Sequence, residues 1–390
     1  MTLDYYTFRE SVVTAGGHKL TIVCKPGVWS WDGLSPGTAA LLQVVEVGAR
    51  DTVLDLGCGT GVIGAAAAVQ APHGCVTLVD CNAAAAACAE RTLAANGLEN
   101  GEVRLADGVS GLFPDSFDLV LSHLPRGRAV QEELIRGAAW VLRPGGRLYL
   151  VAHKRAGIKG AIAYAGHLFG HCGVIRQKKG YHVAMAVKPA ELELPSLEDG
   201  YVTHAIALDG VETALVGKPG VFAWDRLDDG TAALIGAMQI GEGDRVLDLG
   251  CGTGLAGLVA ARRASQGRVT LADVDVRAAE SARRTLEMNG ISNAEPVLSD
   301  CGSEVFGRQF DCVITNPPFH QGVGVNYEVA CQFVQDAARV LRLGGRLFLI
   351  ANRFLRYGDL VEKVFGNVGT AYEDSRYHVL AAVAQTDGLP

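Results

Sequence analysis

Residues 246–254 read VLDLGCGTG, and residues 53–61 read the same nine letters. Each copy is a short apolar run that enters a glycine-rich turn, the pattern of a buried strand followed by a tight bend. Outward from this pair, the chain repeats itself at a shift of 193 residues. KPGVWSWDGLSPGTAALL (25–42) matches KPGVFAWDRLDDGTAALI (218–235), VTLVD (76–80) matches VTLAD (269–273), and FDLVLSHLP (117–125) matches FDCVITNPP (310–318). At LRPGGRLYLVAHK (142–154) and LRLGGRLFLIANR (341–353) the shift is 199, so the second copy holds six extra residues between Pro318 and Leu341. A unit this long is no solenoid repeat; it is a whole domain present twice. The 390 residues also suit two domains of about 100–200 residues. The expected domains are 1–190 and 191–390, joined through the Pro- and Glu-rich stretch KPAELELPSLEDG (188–200).

Within a copy, strand and helix patterns alternate. RVLDLG (245–250) reads as a strand, LAGLVAARRA (255–264) as a helix and RVTLAD (268–273) as a strand. VRAAESARRTLEMNG (276–290) reads as a helix capped at Asn289-Gly290. FDCVITN (310–316) is a strand, VACQFVQDAARVLRLGG (329–345) a helix closed by its glycines, and GRLFLIAN (345–352) a strand. Such alternation predicts a mostly parallel sheet with helices on both faces. The fold class is α/β: two tandem, doubly wound, Rossmann-like domains from an internal duplication.

Composition bounds the function. Hydrophobic residues make up 49% and charged residues 20%, an ordinary globular balance. The N-terminus, MTLDYYTFRE, carries no basic or apolar leader pattern, and no run of about 18 apolar residues occurs. The expectation is a cytoplasmic protein without membrane contact. Ten cysteines form no C-x-x-C pair, so they read as free thiols in a reducing compartment, with no metal site. Net charge is −7, but Lys and Arg exceed Asp and Glu by one in 1–195, and fall short by eight in the remainder. Residues 123–188 hold 12 basic side chains against Glu132 and Glu133 alone. A local surplus of that size can hold a phosphate backbone, or be only a solvated face.

In doubly wound sheets ligands bind at the carboxyl ends of the strands. The turn Asp248-Leu249-Gly250-Cys251-Gly252-Thr253-Gly254 lies there. Its glycines allow a sharp bend and close approach to a ligand. Asp273 ends the next strand, placed to accept from ribose hydroxyls, and Asp300 follows the third strand (PVLSD), within reach of an adenine edge. The turn lacks the third glycine of a dinucleotide site and the Lys-Ser/Thr of a P-loop. An adenosyl ligand without phosphate therefore fits best. This set resembles class I S-adenosylmethionine methyltransferases in both halves.

Asn316-Pro317-Pro318-Phe319 follows the fourth strand at the same edge. An exocyclic amine on a base is a poor nucleophile, because its lone pair is delocalised into the ring. The Asn316 side-chain carbonyl and the Pro317 backbone carbonyl offer two acceptors for its N–H bonds, which aims the lone pair at a methyl group. The prolines stiffen the segment, and Phe319 offers a stacking face. No strong general base is needed, since the amine becomes acidic as it is alkylated.

NPPFHQG (316–322), ANRFL (351–355) and the KPGVF stretch upstream resemble the bacterial ribosomal RNA guanine-N2 methyltransferases over nearly the whole chain. The resemblance implies S-adenosylmethionine as cofactor, a guanine of ribosomal RNA (small subunit ahead of large, in a subunit or assembly intermediate) as acceptor, and a monomer. It further implies a catalytic second copy and a degenerate first copy that aids RNA binding. Asn316, Pro317, Pro318 and Phe319 would hold the guanine. Asp248, Gly250, Cys251, Gly252, Gly254, Asp273 and Asp300 would hold the cofactor, with Thr231 a weaker candidate. His320 either lines the base pocket or is an ordinary loop residue.

The first copy reads His123-Leu124-Pro125-Arg126 where the second has NPPF, so it should not methylate an amine this way. It departs from a degenerate pattern by keeping Asp55, Gly57, Gly59, Gly61, Asp80 and Asp107. Three other readings stay open, the first being methylation of an adenine or cytosine amino group, which the motif admits although the flanking residues favour guanine. A glutamine side-chain amide is also a planar amine, so a protein glutamine methyltransferase would use a similar motif, although the duplication speaks against it. A non-catalytic RNA-binding or assembly factor would not need the intact NPPF.

Overall fold

The computed structural model describes residues 4–192, 194, 197–208, 210–318 and 325–386. The chain forms two units, Met1–Asp199 and Gly200–Pro390. The divide falls inside the stretch 188–200.

The first unit opens with a hairpin, β1 (Arg9–Ala15) and β2 (His18–Cys24), and a short helix, α1 (Pro36–Leu41). Then come β3 (Thr52–Leu56), α2 (Val62–Gln70), β4 (Cys75–Asp80), α3 (Ala83–Ala95), β5 (Gly101–Leu105), β6 (Phe117–His123), α4 (Arg128–Val141) and β7 (Leu142–His153). It closes with α5 (Ile158–Phe169), β8 (Gly173–Lys178) and β9 (Tyr181–Val187). The sheet order is β5-β4-β3-β6-β7-β9-β8. Strands β3 to β7 run parallel; β9 enters antiparallel to β7, and β8 is antiparallel to β9.

The second unit repeats this plan. A hairpin, β10 (Val202–Leu208) and β11 (Val211–Gly217), precedes α6 (Asp229–Ala237), β12 (Arg245–Leu249), α7 (Leu255–Arg263), β13 (Arg268–Asp273), α8 (Val276–Met288) and β14 (Ala294–Leu298). Then follow β15 (Phe310–Thr315), α9 (Val325–Val340), β16 (Leu341–Asn352), α10 (Tyr357–Phe365), β17 (Gly369–Glu373) and β18 (Tyr377–Val383). The order β14-β13-β12-β15-β16-β18-β17 places the switch point between β12 and β15. These two tandem Rossmann-like domains are the fold class read from the sequence.

Each central strand is covered on both faces, which is why it reads as an unbroken apolar run. Val246, Leu247 and Leu249 have no exposed surface. Helix α8 buries Ala278, Ser281, Ala282, Thr285 and Leu286, a stripe at helical spacing, and starts where the Asp275 side chain accepts from the Arg277 N–H. It stops at Asn289, followed by Gly290 at φ +67°.

The duplication extends to single hydrogen bonds. Thr92 Oγ1 accepts from the Val23 N–H at 3.0 Å, and Thr285 Oγ1 from the Val216 N–H at 3.0 Å. Asn100 Nδ2 donates to the carbonyls of Ala68 and Ala71 at 3.0 and 2.8 Å, and Asn293 Nδ2 to those of Ala261 and Ala264 at the same distances. In both copies a side-chain amide thus satisfies carbonyls at a helix end that packing removes from water.

The reading of 329–345 as one helix needs correction. Helix α9 ends at Val340, and Leu341 already pairs with Phe310 as part of β16. The Leu-Gly-Gly segment is a bulge inside that strand, between the Phe310 and Cys312 pairs. Gly344 takes φ +76°, and a Cβ on Gly345 would lie 2.8 Å from the Arg342 carbonyl oxygen. These glycines serve close backbone approach rather than helix termination.

Candidate active site

The glycine turn of the second unit connects β12 to α7 at the carboxyl edge of the sheet. Gly250, Gly252 and Gly254 stand at φ +76°, +54° and +82°, conformations that disfavour any side chain. Two carboxylates hold the turn. Asp248, fully buried at the end of β12, accepts from the Gly257 N–H at 2.8 Å. Asp273, at the end of β13, accepts from the Gly252 N–H at 2.9 Å through Oδ2 and from the Asp275 N–H at 3.1 Å through Oδ1. Backbone bonds from Gly250 and Cys251 to the Ala272 carbonyl, at 2.8 and 3.0 Å, fix the turn against β13.

Burial raises both acids, Asp248 to about 7 and Asp273 to about 6. The Cys251 thiol is pushed further up, by burial first and by the two carboxylates next, so it packs as a neutral group. Asp300 is half-buried just beyond β14, before Cys301 at φ +50°. No lysine or arginine lies in the turn, and the nearby Arg277 is committed to Asp275 at 2.6 Å. An imagined Cβ on Gly252 meets nothing closer than the Phe222 carbonyl oxygen at 3.8 Å. A floor of glycine backbone walled by carboxylates fits an uncharged ribose and a cationic amino-acid tail, and does not fit phosphate.

Asn316 lies directly after β15, with Pro317 buried and Pro318 exposed behind it. Its Nδ2 donates to Thr231 Oγ1 at 3.0 Å, and its Oδ1 is buried without a hydrogen-bond partner. A buried carbonyl oxygen left unmatched costs free energy until a donor arrives. Thr231, read from the sequence as a cofactor candidate, touches the acceptor residue. Asp228 caps helix α6 by accepting from the Thr231 N–H at 3.1 Å, which places that hydroxyl. Phe319 and His320 lie outside the described residues.

Two contributors escaped the sequence reading. Arg277 meets Asp275 through both Nε and Nη2, at 3.0 and 2.6 Å. A Cβ on Gly220 would come within 2.4 Å of its Nη1, so this arginine abuts the loop 218–225. Asp336 accepts from the Gly302 N–H at 2.8 Å and steadies the loop that carries Asp300. The signal for Arg277 lay in the repeat, since the first copy has Asn82 and Ala84 at the positions of Asp275 and Arg277.

Among the described residues no helix is long and apolar enough to cross a membrane, and no three His, Cys, Asp or Glu side chains gather as a metal site. All ten cysteines are free thiols.

The raised Asp273 carboxyl predicts a pH dependence. Above a pKa of about 6 it is ionised and would be able to accept from the ribose hydroxyls of a bound nucleoside; below, protonation removes acceptor capacity. Affinity for S-adenosylmethionine, the ligand implied by the sequence, should therefore fall with pH and be about tenfold weaker at pH 5 than at pH 7. Calorimetric titration across that range measures it, and a flat profile would contradict the contact.

Comparison with known proteins places this geometry. A model of the methyltransferase small domain matches residues 19–185 and again 212–381. The ribosomal RNA small subunit methyltransferase C of Pseudomonas aeruginosa (strain UCBPP-PA14) is 37% identical over 268 residues, covering 66% of this chain and 77% of its own length. That of Hahella chejuensis is 35% identical over 268 residues, covering 68% and 78%. Among solved structures, the T. thermophilus 16S rRNA N2 G1207 methyltransferase, in complex with AdoMet and guanosine, superposes with a TM-score of 0.83 at 32% identity, over 97% of this chain and 98% of that one. The chain belongs to the methyltransferase small-domain family and, within it, to the ribosomal RNA small subunit methyltransferase C family.

Proposed function

We propose that the chain transfers a methyl group from S-adenosylmethionine to the exocyclic N2 amine of a guanine in small-subunit ribosomal RNA, in the cytoplasm. The observation that carries this reading is the buried, unpartnered Asn316 Oδ1 beside the glycine turn. When bound, the cofactor supplies an electrophilic methyl group on a sulfonium. Asn316 Oδ1 and the Pro317 carbonyl accept the two N–H bonds of the amine. That anchors the nitrogen and draws its lone pair out of conjugation with the ring. Thr231 keeps the Asn316 amide turned so that the oxygen faces the substrate. Pro317 and Pro318 deny the segment the freedom to swing away. As the N–C bond forms and the methyl–sulfur bond breaks, the nitrogen becomes acidic and its proton passes to water, so no histidine or carboxylate need take it directly.

The first unit suits an RNA-holding task. His123 stands where Asn316 would be, with Nδ1 3.1 Å from Thr38 Oγ1. Burial lowers its pKa to about 4, which leaves a neutral ring instead of an amide acceptor. The basic surplus thins on folding, because Arg128, Arg143, Arg147 and Lys188 pair with Glu132, Asp118, Asp51 and Asp115. Arg126, Lys154, Arg155 and Lys179 stay exposed near the carboxyl edge of this sheet, where the Lys154 N–H donates to the Gly180 carbonyl at 2.8 Å. Trp29, 63% exposed, meets the His123 ring edge-on at 6.3 Å and offers a face for an unpaired base.

Asn316→Ala should lower kcat by at least about a hundredfold, as loss of a positioning acceptor does elsewhere. S-adenosylmethionine and RNA binding should stay intact. Thr231→Val should cost about five- to tenfold in kcat with little change in cofactor KM, the worth of one neutral hydrogen bond. Unchanged turnover in Asn316→Ala would remove Asn316 from the acceptor site, and absence of turnover in the parent chain would favour an assembly factor.

Charge reversal at Lys154 and Lys179 together should weaken RNA binding and lower the slope of log K against log salt by about two, roughly one per lost phosphate contact. Filter binding at several salt concentrations reads both; an unaltered slope would remove this face from the interface.

A further inference from the structure

We infer that the first unit carries a second S-adenosyl ligand site, one that binds the methyl donor or its demethylated product without transferring a methyl group. The inference rests on reading the second unit as an S-adenosylmethionine site, because its support is a bond-by-bond match to that unit.

The match covers every bond that shapes the turn. Asp55 accepts from the Gly64 N–H at 2.7 Å, as Asp248 does from Gly257 at 2.8 Å. Asp80 accepts from the Gly59 N–H at 2.8 Å and from the Asn82 N–H at 2.9 Å, as Asp273 does from Gly252 at 2.9 Å and Asp275 at 3.1 Å. Gly57 and Cys58 donate to the Val79 carbonyl at 2.9 and 3.0 Å, the counterparts of Gly250 and Cys251 on Ala272. The glycines stand at φ +82°, +55° and +77° against +76°, +54° and +82°. Asp107 follows β5 as Asp300 follows β14, and the next residue is again left-handed, Gly108 at +55° and Cys301 at +50°.

A disused site would be filled or would relax, and this one has done neither. A Cβ added to Gly57 or Gly59 meets no atom within 4 Å, whereas one on Gly250 would strike Phe333. Residue 134, the counterpart of Phe333, is leucine, so the first crevice is open above its turn. Asp55 has no exposed surface, and its Oδ1 is buried without a hydrogen-bond partner. An unmatched buried carboxylate oxygen is costly, and a ligand ammonium or a water carried in with it supplies the missing donor. Four left-handed glycine positions, at 57, 59, 61 and 108, kept for a turn with no ligand would be a pure expense of chain entropy. On the acceptor side His123 and Leu124 replace Asn316 and Pro317; beside the turn, Asn82 and Ala84 replace Asp275 and Arg277, and Leu134 replaces Phe333, without altering the bonds that shape it. The unit therefore retains the means to hold an adenosyl amino acid and lacks the acceptors that would orient an amine toward it.

Equilibrium dialysis of the full chain with labelled S-adenosylmethionine, then with S-adenosylhomocysteine, tests this. Two ligands per chain are expected. Asp273→Ala should leave one, at the first unit, and Asp80→Ala should leave one, at the second. One ligand in the parent chain and none in Asp273→Ala would overturn the inference while leaving the second unit's function in place; no ligand in the parent chain would overturn both. Because Asp80 also holds two backbone N–H groups, photolabelling of the unmutated chain gives an independent reading. Label is expected on peptides spanning both 57–82 and 250–275, and label confined to the second would count against the site. The affinity order at the site left in Asp273→Ala separates a donor-holding site from a product-sensing one.

Discussion

The bond from the Gly252 N–H to Asp273 Oδ2 ties the end of one strand to the turn leaving its neighbour. Much of the second unit's crevice depends on that tie. It requires glycine at 250, 252 and 254, because only a backbone without side chains can turn so tightly at positive φ. It holds the start of α7, so the crevice floor is made of peptide groups instead of side chains. It also keeps a carboxylate where burial raises its pKa. The same tie, Gly59 to Asp80, exists in the first unit.

One of the contacts at which the two units diverge bears directly on the amine acceptor. In both, a threonine near the start of a short helix reaches the residue that ends the fourth strand: Thr231 to Asn316 and Thr38 to His123, at 3.0 and 3.1 Å. Where that residue is asparagine, the threonine holds one end of an amide and leaves the other as a buried acceptor. Where it is histidine, the same contact fixes a neutral ring among Trp29, Tyr181 and Thr38, and offers no carbonyl. On the proposed reading, the duplicated scaffold keeps an amine acceptor in one copy and lacks it in the other through what the threonine holds.

Much of this was legible in the sequence, for physical reasons. Buried parallel strands are continuous apolar runs, so VLDLG, VTLAD and FDCVIT declare themselves, and the repeat shows each twice. Asp273 and Asp300 could be singled out as candidates because strand ends in this topology converge on one edge. The end of α9 was misplaced because Leu-Gly-Gly serves equally as a helix stop or a bulge, and only pairing with Phe310 decides. The hairpins were overlooked, although Gly16-Gly17 is a hairpin turn pair in the sequence. Thr231 against Asn316 and Arg277 against Gly220 join residues 85 and 57 positions apart. No local pattern encodes such contacts.

The central claim is that this edge methylates a guanine amine in small-subunit RNA. Transfer of tritium from labelled S-adenosylmethionine onto ribosomal subunits from a methylation-deficient strain, followed by nucleoside analysis, tests it most directly. The account predicts label in the small subunit, recovered as N2-methylguanosine. Label recovered in protein, in another nucleoside, or nowhere would contradict it.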